Sequence, residues 1–370
     1  VTDAAFTPLD AAHMAHALEL AERGLWTTDP NPRVGCVLAH GGRVVGAGWH
    51  RRAGEPHAEA EALQAAGDRA RGATAYVTLE PCSHHGRTPP CADALIAAGV
   101  ARVVYALADP NPRVNGGGAA RLAAAGVAVR SGLCATEARA LNIGFLSRMT
   151  RGRPHVRLKL GASLDGRTAL ADGTSRWITS AEARADVQLL RARSSAVGSG
   201  AGTVVSDDPR LDVRLEGVER QPLRVVFDAR LLTPPSARVF APPGEALLLT
   251  RPGHDSARLD ALRAAGARVE IVPAATHGLD LDAALRLLAT LEVNELLIEA
   301  GARFAGACID AGVVDELVVY LAPSLLGHTA RPLAELPMLA SLDERWAFEF
   351  RDTRRVGPDL RLTLVPVARR

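Results

Sequence analysis

The chain has 370 residues, 48% of them apolar, and a net charge of +2 with no run of Lys or Arg. That length exceeds one ordinary domain and suits two. No apolar run is long enough for a membrane-spanning helix, and the balanced charge argues against a dedicated nucleic-acid surface. Cys36, Cys82, Cys91, Cys134 and Cys308 are an odd, scattered set, and no segment reads as a secretion signal, so a reducing cytoplasm is the expected compartment.

A helix is predicted from Asp10, a capping residue type, to Gly24, with Met14 and Leu18 on its apolar stripe. Val34 to Leu38 and Arg43 to Gly46 read as strands joined by a turn at Gly41-Gly42. A helix follows His57. Strand and helix then alternate: Ala75 to Leu79, Cys91 to Ala98, Arg102 to Ala106, Ala119 to Ala125, and Val127 to Arg130. A hairpin followed by βα repeats implies a mixed sheet flanked by helices. Arg151-Gly152-Arg153-Pro154 breaks both periodicities and marks a boundary, giving domains at 1–150 and 151–370.

The second series opens with a strand at Val156 to Leu160. Thr179-Ser180-Ala181-Glu182 has capping-box spacing and starts a helix to about Arg193. Strands follow at Ala196 to Gly198, Leu223 to Asp228, Ala246 to Thr250, Arg268 to Val272 and Glu295 to Glu299, with helices near Ala257 to Ala265 and Leu281 to Leu291. Leu317 to Leu321, Phe348 to Arg351 and Leu360 to Val365 are strands, the last two with no helix between them. That ending fits an antiparallel hairpin closing a largely parallel sheet.

His57, Glu59, Cys82 and Cys91 carry the chemistry of the first half. His57 and Cys91 fall at predicted helix starts, and Pro81-Cys82 follows a strand. One imidazole and two thiolates leave the fourth tetrahedral position of a zinc ion for water, the open geometry of a catalytic site. Zinc lowers the pKa of that water to about 7. Glu59, two residues from His57, is placed to take a proton from the water and pass it to a departing amine. The order H-x-E then P-C matches the zinc deaminases, although eight residues rather than two separate Cys82 from Cys91. Two plainer readings stand beside this one: buried thiols with a surface histidine, or a structural zinc closed by a fourth ligand such as His84 or His85.

The insertion between the cysteines points to a family. Thr78-Leu79-Glu80-Pro81-Cys82-Ser83-His84-His85-Gly86-Arg87-Thr88-Pro89-Pro90-Cys91 resembles the signature of the bifunctional riboflavin-biosynthesis deaminase/reductases. Pro30-Asn31-Pro32-Arg33-Val34-Gly35-Cys36 and Gly54-Glu55-Pro56-His57-Ala58-Glu59 resemble the same family. So do Leu158 to Gly166, Trp177-Ile178-Thr179-Ser180, Thr203 to Pro209 and Glu299-Ala300-Gly301 in the second half. The resemblance spans nearly the whole chain, in order.

It implies an α/β protein with a cytidine-deaminase-like three-layer αβα domain, then a dihydrofolate-reductase-like α/β domain. The first would deaminate a diaminopyrimidinone bearing a ribosylamino 5'-phosphate; the second would use NADPH to reduce the ribosyl group to ribityl. Zn2+ and NADPH are the implied cofactors and the phosphorylated pyrimidine the partner, with no nucleic acid or membrane and a homo-oligomeric state. Asn31, His50 and Arg87 are implied on the deaminase substrate. Gly161, Trp177, Thr203, Asp207, Ala300 and Gly301 are implied on NADPH, and Lys159, Ser175, Arg191, Leu211, Arg214 and Glu299 on the ribosyl phosphate.

The residues alone say less. Asn31 between prolines is also a turn residue, a lone histidine is often a bystander, and Arg87 and Arg191 also read as solvated charges. Asp212 stands where the family commonly has threonine, and an acid beside a phosphate site is awkward. Asp207 and Glu299 are both candidates to donate the proton that accompanies hydride transfer. Two rival functions remain at this stage: a zinc deaminase of nucleic acid with a non-redox accessory domain, and a non-catalytic protein with a structural zinc.

Overall fold

The computed structural model describes residues 5–83, 90–111, 115–218 and 220–367. The chain divides into two compact units, Val1–Gly152 and Arg153–Arg370.

In the first unit, helix α1 (Pro8–Glu22) begins two residues before Asp10. The N-cap is Thr7, whose hydroxyl accepts from the Asp10 N–H at 3.1 Å while the Asp10 carboxylate accepts from the Thr7 N–H at 2.9 Å. Asp10 is therefore the third residue of a capping box and not the cap itself. The same carboxylate accepts from the Tyr76 hydroxyl at 2.8 Å and from Arg102 at 2.9 Å. Burial pushes its pKa up, but the Thr7, Arg102 and Tyr76 hydrogen bonds outweigh that and hold it well below the usual carboxylate range.

Strands β1 (Gly35–His40) and β2 (Arg43–Trp49) form the expected hairpin. With β3 (Thr74–Val77), β4 (Arg102–Tyr105) and β5 (Ala128–Ser131) they make a sheet of order β2-β1-β3-β4-β5. β1 is antiparallel to both neighbours, and β3, β4 and β5 run parallel. Strand periodicity sends Cys36 and Leu38 of β1 to one face and Val37 and Ala39 to the other. The first face packs on α2 (Ala58–Ala66), α3 (Cys91–Ala97) and α4 (Gly117–Ala124) through Ala62, Leu95 and Leu122. The second packs on α1, α5 (Ala135–Leu141) and α6 (Ile143–Arg151) through Met14, Leu18, Ala138 and Phe145. This is the three-layer αβα arrangement.

Close approach sets where α2 lies. A side chain at Gly48 would put a Cβ 2.4 Å from Glu61 Cβ and 2.7 Å from Ala58 O, so only glycine lets α2 rest on β2. Helix α2 opens at His57 and carries Glu59.

The second unit is a nine-stranded sheet of order β11-β10-β9-β8-β14-β6-β15-β18-β17. Its strands are β6 (His155–Ser163), β8 (Ala196–Gly200), β9 (Leu223–Phe227), β10 (Ala246–Thr250), β11 (Ala267–Ile271), β14 (Glu295–Glu299), β15 (Glu316–Ala322), β17 (Phe348–Val356) and β18 (Asp359–Pro366). Pairing is parallel from β11 through β15, and the closing β17–β18 hairpin is antiparallel, as its sequence implied. Two short pairs lie outside the sheet: β7 (Arg167–Ala169) with β16 (Arg331–Pro332), and β12 (Ala274–Ala275) with β13 (Gly278–Leu279).

Both sheet faces are covered. Leu158, Leu296 and Val319 pack with α10 (Leu281–Thr290) and α11 (Ala302–Asp310), and Val197, Leu248 and Val318 pack with α7 (Ala181–Arg193) and α9 (Ser256–Ala264). Helix α7 starts one residue later than its capping-box spacing suggested. Ser180 is the N-cap, its hydroxyl accepting from the Ala183 N–H at 3.1 Å, while its own N–H donates to Asp359 at 2.8 Å. A strand far along the sequence thus decides which of two adjacent hydroxyl residues caps the helix. Helix α8 (Ala201–Asp207) follows β8 directly.

Candidate active sites

The first unit brings three ligand-type atoms together. His57 Nδ1, Cys82 Sγ and Cys91 Sγ all lie within 4.8 Å of one another. Nδ1 is 3.3 Å from Cys91 Sγ and 3.7 Å from Cys82 Sγ. Zinc bonds of about 2.3 Å to sulfur and about 2.0–2.1 Å to nitrogen, set at a tetrahedral angle, require a separation of about 3.6 Å. The donor set fits the ion in kind and in spacing. His57 is the N-cap of α2, Cys91 opens α3, and the Cys91 N–H donates to Cys82 Sγ at 3.3 Å. Helix N-termini favour thiolates. The Cys82 thiol is pulled down to about 4, first by its hydrogen bond with Cys91, against burial, and then by His57.

Glu59, the second residue of α2, is buried and within hydrogen-bond reach of Cys91. Burial raises its pKa above the ordinary value, with His57 opposing. A raised pKa suits a carboxyl group that must both accept and deliver a proton. His50 stands beside His57, the rings edge to face with centroids 5.4 Å apart. Its Nδ1 lies 3.0 Å from the Pro56 carbonyl, which can only accept, so Nδ1 carries the proton. Nε2 then accepts from the Asn31 amide at 3.0 Å. Burial keeps the His50 pKa below its usual value, so the ring stays neutral. Asn31 and His50 therefore sit together beside the metal ligands. Arg87, with His84 and His85, lies outside the described residues.

One residue of this site had gone unread. Glu80 is buried and accepts backbone N–H groups from Asp109 at 3.3 Å, Gly116 at 3.1 Å and Ala119 at 3.1 Å. It ties the end of β3 to the start of α4 and fixes the approach to Cys82. The tie is tight: a Cβ on Gly118 would fall 1.8 Å from Pro81 O. Its signal was present, a carboxylate two residues before a ligand cysteine.

The second unit holds a cavity of about 1520 Å³. Gly161, Trp177, Thr203, Asp207, Ala300 and Gly301 line it, and so do Lys159, Ser175, Arg191, Leu211, Arg214 and Glu299. Residues far apart in the chain converge because β6, β8 and β14 end there. Arg191 makes a bidentate pair with Glu299 at 2.6 and 3.0 Å and donates to the Asp212 carbonyl at 2.9 Å. Burial raises the Glu299 pKa, but Arg191 and Lys159 outweigh it and the net shift is downward. Arg191 and Lys159 thus favour the ionised carboxylate of Glu299.

Lys159 is half-buried, and desolvation lowers its pKa, with Glu299 opposing. Of the 43 Lys and Arg residues in the chain, Lys159 is the only lysine. Thr203 accepts from the Gly301 N–H at 3.2 Å, joining the starts of α8 and α11. Trp177 is an exposed wall, with the Arg184 guanidinium 4.3 Å from its ring centre. Arg184, Arg210 and Arg238 also line the cavity. They had gone unread because arginine is common throughout this chain and no spacing marks them.

Fold and site define a two-unit enzyme: a zinc-type deaminase followed by a reductase. Residues 8–107 match the cytidine and deoxycytidylate deaminase zinc-binding region, and residues 154–362 match the RibD C-terminal domain. The riboflavin biosynthesis protein RibD of Escherichia coli K12 is 51% identical over 96% of this chain and 99% of its own, and that of Haemophilus influenzae is 44% identical over 98% of each. Acinetobacter baumannii RibD superposes with a TM-score of 0.90 at 42% identity, covering 97% of this chain and 99% of that one. A diaminohydroxyphosphoribosylaminopyrimidine deaminase/5-amino-6-(5-phosphoribosylamino)uracil reductase from Thermotoga maritima superposes with a TM-score of 0.85 at 30% identity over the same shares. This chain belongs to the RibD family of bifunctional riboflavin-biosynthesis deaminase/reductases. Among the described residues no helix is long and apolar enough to cross a membrane.

Proposed function

We propose that residues 1–150 deaminate 2,5-diamino-6-(5-phosphoribosylamino)pyrimidin-4-one and that residues 151–370 reduce the product's ribosyl group to ribityl with NADPH. The observation that carries this reading is the convergence of His57, Cys82 and Cys91 beside buried Glu59, on a chain whose second unit holds a cationic cavity.

His57, Cys82 and Cys91 would hold zinc, which supplies Lewis acidity and makes a water acidic near neutral pH. Glu59 takes the proton that water loses as its oxygen bonds to C2. It then delivers a proton to the amino nitrogen, which leaves as ammonia when the C–N bond breaks. Asn31 holds the substrate, its amide oriented by neutral His50. Arg87 is assigned to the substrate phosphate.

In the second unit bound NADPH would supply a hydride for the sugar carbon bound to nitrogen, and a proton would be needed at the ring oxygen. Lys159, with Ser175, Arg191, Leu211, Arg214 and Glu299, is assigned to the ribosyl phosphate. Gly161, Trp177, Thr203, Asp207, Ala300 and Gly301 are assigned to the cofactor. Gly301 caps α11, where N–H groups suit a phosphate. Lys159 can pass on a proton, which an arginine cannot.

The five unpaired cysteines support a reducing cytoplasm, and exposed Leu336, Met338, Leu339 and Leu342 offer surface for a homo-oligomer. The test supplies the diaminopyrimidinone phosphate with and without NADPH. Ammonia should appear in both cases and NADPH oxidation only after it. NADPH oxidation without prior ammonia release would overturn this order of steps.

A further inference from the structure

Asp212 is an acid directly behind a cavity wall rich in cations, and its geometry gives it a use. Its side chain is 5% exposed. One carboxylate oxygen accepts from Arg210 Nε at 2.9 Å and the other from Arg214 Nη1 at 2.5 Å. Both arginines line the cavity and Asp212 does not, so the carboxylate sits behind the two guanidiniums. The side chains of Arg210 and Arg214 are 42% and 55% exposed. Among the described residues nothing accepts from the two Nη groups of Arg210.

We propose that Asp212 is a positioning residue that fixes Arg210 and Arg214 as a carboxylate-bridged guanidinium pair, and that Arg210 is a further phosphate-binding residue of the reductase. This rests on the reading of the second unit as a reductase of a ribosyl phosphate.

Two guanidiniums side by side repel each other, and each rides on a flexible stem. A shared carboxylate offsets the repulsion and holds both forks before the ligand arrives, which is the condition for strong bidentate capture of a phosphate. The backbone of the same residue adds a third arginine, since its carbonyl accepts from Arg191 Nη1 at 2.9 Å. Leu211, buried next to it, is held at φ 53°, in the left-handed region, with Arg210 and Asp212 on its two sides. Lys159, Arg191, Arg210 and Arg214 face Glu299 and Asp212 alone within this group, which leaves an excess of positive charge suited to a phosphate monoester dianion. The acid also repels that dianion. It lies farther from the cavity than the two cations it holds, so their attraction prevails.

The test uses the full chain, the deaminated ribosylaminouracil phosphate and NADPH. Asp212→Asn should raise KM for the phosphorylated substrate about tenfold, the worth of one charge-assisted hydrogen bond, with a smaller fall in kcat and a smaller change in KM for NADPH. Arg210→Gln should do the same, and inorganic phosphate should weaken in parallel as a competitive inhibitor. Asp212→Asn in the Arg210→Gln background should add less than it does alone, because the two residues act as a unit. An unchanged or lowered KM in Asp212→Asn would show that repulsion dominates, and a shift confined to KM for NADPH would place the pair on the cofactor; either overturns the proposal. If Asp212→Asn fails to fold, Arg210→Gln, at a half-exposed side chain, decides alone. Failure of the unmodified chain to reduce the substrate would instead overturn the reductase reading.

Discussion

The metal centre of the first unit and the cavity of the second differ in how they are built. The centre is small and partly buried. Three donor atoms sit within 4.8 Å, each at or next to the start of a helix, with one carboxyl beside them. The cavity is about 1520 Å³ and gathers residues from Lys159 to Glu335. In the centre, position carries the chemistry: shifting one donor removes an ion. In the cavity, under the proposed function, many contacts would share the work of holding two large anionic molecules, and a single loss would be graded. The difference teaches that mutational sensitivity should be steep in the first unit and shallow in the second, with Lys159 as the exception.

The largest expected effect falls on the metal. Cys91→Ala should weaken zinc binding by more than about 100-fold, beyond what losing a hydrogen bond to a metal ligand costs, as measured by competition with a chromogenic chelator. Ammonia release should fall with it. Retention of zinc would remove the contrast between the two sites.

Next comes Lys159→Arg, which keeps the charge but not the exchangeable proton. The reductase rate should fall about 10²-fold, the low end for losing an acid–base group. The sign of the pH effect follows from burial, which lowers the Lys159 pKa. The protonated amine is lost as pH rises through that lowered value, so the reductase should decline on an alkaline limb lying below the ordinary lysine range. The variant should lack that limb. A variant that keeps both rate and limb would make Lys159 one more graded contact.

Asn31→Ala should raise the deaminase KM about tenfold, about one tight hydrogen bond to the substrate, with zinc content unchanged by metal analysis. Gly48→Ala should cost about 1–3 kcal/mol of stability by overpacking, read from denaturant unfolding, because its Cβ would meet Glu61 Cβ at 2.4 Å and lift α2 off β2. No destabilisation would mean that α2 is not held by that contact.

The two sites also differed in how far the sequence revealed them. Thiol, imidazole and carboxylate in a fixed order are rare, and their positions at element starts gave the metal centre from residue types alone. The cavity residues became visible only through resemblance, since an arginine such as Arg191 looks the same whether it is solvated or buried against Glu299. The mixed first sheet and the closing hairpin followed from periodicity. Capping did not: Thr7 displaced Asp10 and Ser180 displaced Thr179, because Tyr76, Arg102 and Asp359 arrive from distant parts of the chain. Local spacing cannot register partners that tertiary structure supplies. The same limit hid Asp212, whose meaning lies in two arginines held on one carboxylate.

The central claim is that one chain carries two separable chemistries, and Glu59→Gln tests it most directly. The account predicts that ammonia release falls about 10²–10⁴-fold, zinc content stays the same, and NADPH oxidation with the pre-deaminated substrate continues at the unmodified rate. A folded Glu59→Gln protein that still releases ammonia at full rate, or that loses both activities together, would contradict it.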